Sequence, residues 1–290
     1  GGVLISYLLK TFKNLGGKIL LDAPAIKLIS RDNEDGSTEV LGVSYSSKGK
    51  VFNLKTKKGV HLASGGFDHN MQMKKNFLSV PSYGVGVKSN TGDGIKMAMK
   101  LGADLRNMNE VWGSVVYKGE AEVLGSLNAV TEKKYYASCI LVNRYGNRFS
   151  NEKADYDSSW RSFHAKENWG ALKYKNIPAF QIFDHKVRLN GTLAGKKFDQ
   201  ALPKWFFKSN SIEGLAKKLG INQNNLKSTI SNFNKNALLG IDPDFHRGET
   251  HYDRMGLDDH SLALQPLDVP PFYGAEIAPA HLGTCGGPRV

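Results

Sequence analysis

Three glycine-rich turns are the parts of this 290-residue sequence where a ligand could lie directly against the backbone. They read ASGGF (residues 63–67), NTGDG (90–94) and GTCGG (283–287), each at a predicted strand end or helix start. Glycine allows a closer approach than any other residue, and the first turns of helices carry free N–H groups that suit phosphates and polar cofactor edges. Gly65 and Gly66 could therefore serve either close packing or a ligand, and one turn alone does not decide between these interpretations.

Asp93, in the second turn, also has two interpretations. An acidic residue in the first turn of a helix interacts favourably with the helix dipole and needs no ligand. Its carboxylate could also accept hydrogen bonds from the sugar-like hydroxyls of a cofactor.

The cysteines and histidines form neither a metal-binding nor a nucleophile pattern. Cys139 lies in the apolar run SCILVN and is predicted to be a buried thiol, whereas the sequence supplies Cys285 with no base. His164, His246 and His251 do not fall at metal-ligand spacings, so no metal site is predicted.

Hydrophobic periodicity places these turns among short elements. The first half predicts an amphipathic helix over 1–17, a strand over 18–30, an antiparallel meander over 37–47 and 49–59, and a buried strand over 60–67. A helix follows the NTGDG turn, and the apolar residues along it (Ile95, Met97, Ala98 and Met99) are interpreted as core.

The second half mixes strands and helices. It predicts a hairpin over 138–152 that turns at 145–147, a short strand over 177–184, and two consecutive helices with Ser211 and Asn222 as N-caps. A long polar loop at 240–254 and a strand starting at 271 complete the chain. Arg144, Arg148 and Glu152 could line a domain interface, although a polar hairpin surface explains them equally well.

Composition excludes several classes of function. The net charge is +12, from 39 Lys and Arg against 27 Asp and Glu, but the lysines are scattered and no nucleic-acid motif is present. No secretory signal and no apolar run of ~20 residues occurs, which predicts a soluble, cytoplasmic protein without a transmembrane segment. No complete Gly-x-Gly-x-x-Gly dinucleotide motif occurs in the sequence either.

Taken together and in this order, the motifs resemble a flavoprotein family. That family includes fumarate reductases, succinate dehydrogenase flavoprotein subunits and 3-ketosteroid dehydrogenases. LASGGFDHN (62–70) resembles its strand and turn beside FAD, NTGDGIKMAMKLGA (90–103) its helix start, and ILVNRYGNRFSNE (140–152) its substrate-domain hairpin. Residues 242–254 and 271–287 resemble the 3-ketosteroid dehydrogenase branch more closely than the others.

The resemblance implies an α/β (α+β) fold, in which a Rossmann-like FAD-binding domain carries an inserted α+β substrate (capping) domain. Residues 1–106 would be the middle part of the FAD-binding domain, 107–267 the substrate domain, and 268–290 a return to the FAD-binding domain. The family's phosphate-binding glycine motif would precede Gly1 and its last FAD-contacting segments would follow Val290. We therefore expect the chain to be part of a longer enzyme and not to retain FAD alone. The implied FAD contacts are Ala25, Ala63, Ser64, Gly65, Gly66, Asn90, Thr91, Gly92 and Asp93.

The implied reaction removes a proton beside a ketone and transfers a hydride to flavin. Tyr156 matches the family's base and Tyr273 its donor to the substrate carbonyl, with the Gly283 N–H as a second donor. A surface aromatic at a helix start is the alternative for Tyr156, and a packed core aromatic is the alternative for Tyr273. Asp155 and Asp157 flank Tyr156 and would disfavour a tyrosinate if they faced it.

The expected function is FAD-dependent dehydrogenation of a 3-ketosteroid-like small molecule, coupled to an electron acceptor. The alternatives are a fumarate-reductase-like or 5α-type ketosteroid oxidoreductase, and a non-catalytic basic binding module that keeps the fold. The fumarate-reducing branch has a histidine pair directly before its Thr-x-Gly-Gly turn. Here those positions are Leu282 and Gly283, and His281 comes one position too early, which disfavours that alternative.

Overall fold

The computed structural model of the chain describes residues 2–124, 137–169, 172–190, 192–255, 257 and 263–289. The chain forms two compact units. Unit 1 comprises Gly1–Ser64, Asp93–Asp104 and Pro288–Val290, and unit 2 comprises Gly65–Gly92 and Leu105–Gly287. The family-derived boundaries after residues 106 and 267 remain a prediction. No helix in the described part of the chain is both long enough and apolar enough to span a membrane.

Unit 1 is a small sheet with two helices. Its elements are α1 (Gly2–Asn14), β1 (Ala25–Asp32), β2 (Thr38–Ser47), β3 (Lys50–Lys55) and α3 (Asp93–Met99). The three strands form an antiparallel sheet in the order β1-β2-β3, which confirms the predicted meander. The predicted first helix is also confirmed, although α1 has no buried residue.

Helix α3 supplies most of the buried apolar residues of unit 1. Ile95, Met97 and Ala98 are buried, as predicted. Met99 is not, because its side chain is 42% exposed and lies along a cavity instead of in a core. The interpretation of Met99 as a core residue is therefore wrong.

Two predicted strands are shorter than expected or absent. The strand predicted over 18–30 begins only at Ala25, directly after Pro24, which has no N–H to donate to a ladder. The segment 60–67 pairs with no strand in the described residues, and His61, Ala63 and Ser64 are exposed. Alternating apolar residues are not sufficient for a strand, because its backbone groups need a partner.

Unit 2 is organised around one long strand. Its helices are α2 (Met71–Phe77), α4 (Lys118–Leu124), α5 (Tyr156–Arg161), α6 (His185–Asn190), α7 (Ile212–Leu219), α8 (Gln223–Leu238) and α9 (His251–Arg254). Its strands are β4 (Tyr83–Gly84), β5 (Leu105–Arg106), β6 (Val111–Tyr117), β7 (Cys139–Asn143), β8 (Ala179–Phe183), β9 (Phe206–Ser209) and β10 (Phe272–Thr284), and β11 (Gly287–Pro288) follows.

Strand β10 changes partners along its length. Residues 272–277 pair with β8 and β9, whereas residues 277–284 pair with β6, and 280–281 also pair with β4. The two ends of β10 therefore pair with different strands. A register shift between His281 and Gly283 marks a bulge near the second end.

The helices predicted in the second half pack on this sheet. Ser211 accepts from the N–H of Gly214 and Asn222 from the N–H of Asn225, so both predicted N-caps are confirmed. Leu215, Leu226 and other apolar residues of α7 and α8 form a buried cluster with the β7 and β8 residues that face them.

The predicted hairpin turn is confirmed, but its charged residues are not on a polar surface. Gly146 has a φ of +82° and its N–H donates to the carbonyl of Asn143. Beyond the turn the second arm is a single bridge between Val142 and Arg148, so only one arm is a full strand. The Arg148 guanidinium and the Glu152 carboxylate are buried and lie 2.8 Å apart, so neither residue belongs to a polar hairpin surface.

Candidate active site

The end of β10 forms a close contact with the first glycine-rich turn. A Cβ added at Gly66 would lie 2.0 Å from Thr284 Oγ1, and this oxygen accepts a hydrogen bond from the Phe67 N–H at 3.0 Å. Packing between protein groups is therefore enough to require glycine at position 66. The structure supplies a physical reason for this residue that needs no ligand.

Asn90 determines the shape of the same turn from the other side. Its side-chain amide donates to Asp68 Oδ2 at 2.8 Å, and its Oδ1 lies where a Cβ at Gly65 would be, with a separation of 2.4 Å. Gly65 has a φ of +79°, a conformation that favours glycine. The Gly92 N–H donates to the carbonyl of Gly66 at 2.9 Å, so parts of the first two turns lie together in unit 2.

Tyr156 lies near the same end of β10. Its ring centroid is 6.0 Å from that of Trp112, and Trp112 is the ladder partner of Gly283. Tyr156 is the first residue of α5 and is half-buried. The structure therefore brings Tyr156 and Gly283 to one region, with Trp112 next to both.

The two aspartates beside Tyr156 are engaged elsewhere. Asp155 is the N-cap of α5, accepting from the N–H groups of Asp157 and Ser158. Asp157 accepts from the Gly113 N–H at 2.8 Å and pairs with Arg161 at 2.8 Å. Both carboxylates therefore have hydrogen-bond partners of their own.

Tyr273 does not join this group, which corrects the predicted pairing of Tyr273 with Gly283. The two residues are ten positions apart on β10, and a strand rises about 3.3 Å per residue, so roughly 30 Å separates them. Tyr273 is 5% exposed and stacks on Phe183, and its hydroxyl lies 3.3 Å from His185 Nδ1. Its hydroxyl and the Gly283 N–H cannot contact the same carbonyl oxygen.

His281 is close to the candidate site but is not a cation. It is fully buried, its Nδ1 lies 2.8 Å from Ser82 Oγ, and its Nε2 lies 3.6 Å from Asp68 Oδ1. Burial lowers the pKa of His281 to about 4, although Asp68 acts in the opposite direction. His281 is therefore neutral at neutral pH.

Cys285 has the surroundings of an unreactive thiol. Cys285 is exposed, but partial desolvation and the neighbouring Glu110 and Asp157 carboxylates raise the pKa of its thiol. The thiolate is the nucleophilic form, so this position opposes nucleophilic chemistry. Cys139, by contrast, is fully buried, as predicted.

Unit 1 brings together two of the residues that were predicted to contact the cofactor. Ala25 and Asp93 line a cavity of about 570 Å³ with Lys96 and Met97. Asp93 pairs with Lys96 at 2.7 Å. This cavity offers both apolar and charged groups to a ligand.

Ala63 and Ser64 precede the first turn and are exposed. The Ser64 hydroxyl lies 2.3 Å from the position of a Cβ at Gly94, so a side chain there would require the Ser64 hydroxyl to rotate. Thr91 lies in the same turn, where its carbonyl accepts from the side-chain amide of Asn70 at 2.9 Å.

Gly283 and Gly287 differ from the other glycines of the three turns, and Gly283, which lies next to Trp112, shows whether a flat cofactor or substrate fits here. Apart from its two chain neighbours, no described residue has an atom within 4 Å of a Cβ built at Gly283, whereas a Cβ at Gly286 would lie 2.4 Å from the Cα of Met108. Packing requires glycine at 286 but not at 283. Open space against the backbone at Gly283, beside the exposed turn at Gly65, fits a planar group such as a flavin or a ring ketone.

Several functional candidates gave no signal in the sequence. Trp112, Asp68 and Ser82 were not identified, because only the pairing of β6 and β4 with β10 brings their segments to this region. The described residues contain no group of three or more His, Cys, Asp or Glu side chains able to hold a metal ion.

Comparison with known proteins gives a consistent result. Residues 1–290 match the family model described as FAD binding domain. The chain is 32% identical, over its whole length, to a 3-oxosteroid 1-dehydrogenase of Mycolicibacterium smegmatis, of which it covers 52%. It is 29% identical over 99% of its length to a 4-oxocyclohexanecarboxylate 2-dehydrogenase of Sinomonas cyclohexanicum, covering 51% of that protein.

A solved structure is also similar. It is the crystal structure of 3-ketosteroid delta1-dehydrogenase from Sterolibacterium denitrificans in complex with 1,4-androstadiene-3,17-dione, with a TM-score of 0.84 and 27% identity. The match covers 96% of this chain and 51% of the other. The chain thus spans about half the length of the relatives that it matches.

Proposed function

The chain belongs to the FAD-binding family of flavoprotein oxidoreductases, and from this premise we propose that it takes part in the dehydrogenation of a ring ketone next to its carbonyl, with a 3-ketosteroid as the expected substrate. The observation that supports this most directly is the grouping of Tyr156, Trp112 and Gly283. Bound FAD would supply the hydride acceptor, a chemistry that side chains do not provide.

Tyr156 is proposed as the base that removes the proton beside the carbonyl. Its position at the start of α5 is held by the Asp155 cap and by the bond from the Gly113 N–H to Asp157. The Trp112 ring is 54% exposed and offers a flat apolar face beside Tyr156. A ring substrate lying on that face would bring its acidic C–H towards the tyrosine.

Gly283 is proposed to let the substrate or the flavin approach the backbone. Its N–H would donate to oxygen that becomes negative as the proton leaves, which is how an oxyanion hole stabilises an enolate. The open space at its Cβ position supports the approach of a ligand to the backbone there.

The cofactor contacts are proposed for each unit separately. In unit 1 they are Ala25, Ala63, Ser64 and Asp93, and in unit 2 Gly65, Gly66, Asn90, Thr91 and Gly92. Asp93 would accept hydrogen bonds from cofactor hydroxyls while it remains paired with Lys96. A cytoplasmic location and an unidentified electron acceptor complete the proposal.

A fumarate-reducing function is a weaker alternative. A dicarboxylate needs cations around it. In the described part of this region, His281 is neutral and Arg161 already pairs with Asp157 and Glu110. This favours an uncharged ring ketone.

The test is anaerobic reduction of the flavin in the purified, FAD-loaded full-length enzyme of which this chain is expected to be part. We expect a 3-ketosteroid to bleach the flavin absorbance and to be recovered with a new ring double bond. If only 4-oxocyclohexanecarboxylate bleaches the flavin, the proposed reaction class is correct but the substrate is not a 3-ketosteroid. If neither ketone bleaches the flavin while fumarate reoxidises the chemically reduced protein, the proposal is wrong and the reductase alternative holds. A folded full-length protein that binds no FAD would favour a non-catalytic module.

A further inference from the structure

A second cavity lies in unit 2 at the beginning of β10. It has a volume of about 410 Å³, and the side chains around it fall into two groups. The basic group is His185, Arg188 and Lys208, and the aromatic group is Phe198, Phe206 and Tyr273. Since Tyr273 belongs to this cavity, roughly 30 Å along β10 from Gly283, the cavity is separate from the candidate active site.

Arg188 carries a buried charge without a carboxylate partner in the described residues. Its side chain is 4% exposed, and its guanidinium donates to the backbone carbonyls of Lys196, Lys197 and Gln200. Carbonyl dipoles solvate a cation but do not neutralise it, and a buried charge is costly unless it is paired. This leaves net positive charge at the cavity wall.

Lys208 adds to this charge, and His185 adds a ring nitrogen that can donate a hydrogen bond. His185 Nδ1 lies 3.3 Å from the Tyr273 hydroxyl, and Lys208 Nζ lies 5.8 Å from the centre of the Tyr273 ring. The described lining of the cavity contains no Asp or Glu. Asp184, which directly precedes His185 in the chain, pairs with Lys186 at 3.3 Å.

We infer that this cavity binds a small molecule that joins an oxyanion, a phosphate or a carboxylate, to a flat apolar body. The Lys208 ammonium, the His185 ring and the Tyr273 hydroxyl are the groups that can donate to the anion. The Phe198 and Phe206 rings are the surfaces on which the flat body can lie. Burial raises the pKa of Tyr273, so its hydroxyl stays protonated and able to donate. The site does not depend on the proposed dehydrogenase function.

The test is calorimetric titration of the purified, FAD-loaded full-length protein with three probes: phenyl phosphate, benzoate and uncharged benzamide. We expect an anion to bind, its affinity to fall as ionic strength rises, and benzamide not to bind at millimolar concentration. Binding of phenyl phosphate alone would identify the oxyanion as phosphate, and binding of benzoate alone would identify it as carboxylate.

Two variants and a matched control locate the site. Lys208→Gln and His185→Gln should each weaken anion binding about tenfold, as expected for loss of a charge-assisted hydrogen bond. Lys204→Gln removes an exposed lysine that does not line the cavity and should leave the affinity unchanged. Arg188 is not substituted, because its guanidinium holds the 196–200 loop.

Three results would overturn the inference. The first is equal binding of benzamide and the anions, and the second is no heat from any probe. The third is an unchanged anion affinity in both Lys208→Gln and His185→Gln, when both variants have a native circular dichroism spectrum. None of these depends on flavin reduction, so failure here is distinct from failure of the proposed function.

Discussion

Two tyrosines that the sequence assigns to one active site lie in different surroundings in the structure. Tyr156 is half-buried next to Trp112, close to the Gly283 end of β10. Tyr273 stacks on Phe183 at the other end, within the core of unit 2. The two side chains should therefore respond differently to removal of their hydroxyl groups.

We expect Tyr156→Phe to lower the rate of flavin reduction by a ring ketone about 10²–10³-fold, in the range expected for loss of a catalytic proton-transfer group. Tyr273→Phe should change that rate by less than about twofold, because the residue lies roughly 30 Å along β10 from Gly283. The measurement is stopped-flow flavin bleaching, together with exchange of the substrate's alpha proton with solvent deuterium. Wild-type exchange in Tyr156→Phe would show that Tyr156 is not the base, and a large loss in Tyr273→Phe would refute the separation of the two residues.

His281 is a buried residue whose pKa lies well below the ordinary histidine value, within a pH range that unfolding experiments can reach. Burial lowers its pKa from 6.5 to about 4. The unfolded chain binds a proton at His281 below pH 6.5, whereas the folded chain does so only near pH 4. This contribution to stability is therefore complete above pH 6.5 and is lost as the pH falls towards 4.

We expect His281 to account for a loss of about 3 kcal/mol in the free energy of unfolding between neutral pH and pH 4, from a shift of between two and three pKa units. The measurement is urea unfolding across this pH range in the native protein and in His281→Gln, which cannot titrate. The variant should lose less stability on acidification. If both proteins show the same pH dependence, His281 is not held neutral by burial.

At the scale of elements, some glycines of the glycine-rich turns are explained by packing, whereas Gly283 and Gly287 are not. Gly66 lies against Thr284 Oγ1, and Gly65 lies against Asn90. Gly283 faces open space. Alanine at these positions therefore distinguishes protein packing from access for a ligand.

We expect Gly66→Ala to destabilise the protein by about 1–3 kcal/mol, the usual cost of overpacking. Thr284→Ala removes the clashing oxygen, so the double variant should lose less stability than the sum of the two single variants. Thermal and urea unfolding measure both effects. Strictly additive losses would show that the Gly66–Thr284 contact is not the cause.

Gly283→Ala provides the complementary test. We expect its free energy of unfolding to stay within about 0.5 kcal/mol of the native value, because the new methyl group meets no described residue within 4 Å apart from its chain neighbours. Flavin reduction by the ketone should nevertheless slow by at least about tenfold, because the methyl group occupies the space proposed for the ligand. Full activity together with full stability would exclude a ligand from this position.

At the scale of the whole molecule, unit 2 is held together by a buried cluster of charges as well as by its apolar core. Arg148 pairs with Glu152 and with Asp242 at 2.8 Å each, and Arg247 pairs with Glu152 at 3.1 Å. Burial alone would raise the pKa of Glu152, but Arg148 and Arg247 outweigh that effect and lower it. The long polar loop at 240–254 is thus anchored in the interior by Asp242 and Arg247.

We expect Glu152→Gln to destabilise the protein by about 3–5 kcal/mol, because it leaves Arg148 and Arg247 close together with one fewer carboxylate. Glu249→Gln, in the same loop but exposed, is the control and should change stability by less than about 0.5 kcal/mol. Chemical denaturation measures both variants. A similar stability for the two would mean that the buried pairs contribute little beyond their desolvation cost.

The sequence by itself determined the features that depend on neighbouring residues. The caps at Ser211 and Asn222, the turn at Gly146 and the existence of β10 all follow from local hydrogen bonding and periodicity, and the structure confirms them. The order of the motifs likewise indicated the flavoprotein family, which the comparisons confirm.

Only the tertiary structure decided which of these residues meet. Arg148 and Asp242 are 94 positions apart, and no local pattern shows that one neutralises the other in the interior. The same limit applies to Tyr273 and Gly283, which are close in sequence but lie at opposite ends of an extended strand. Strand pairing is non-local, and an extended chain carries residues apart at about 3.3 Å per position, so proximity in sequence does not establish a shared site.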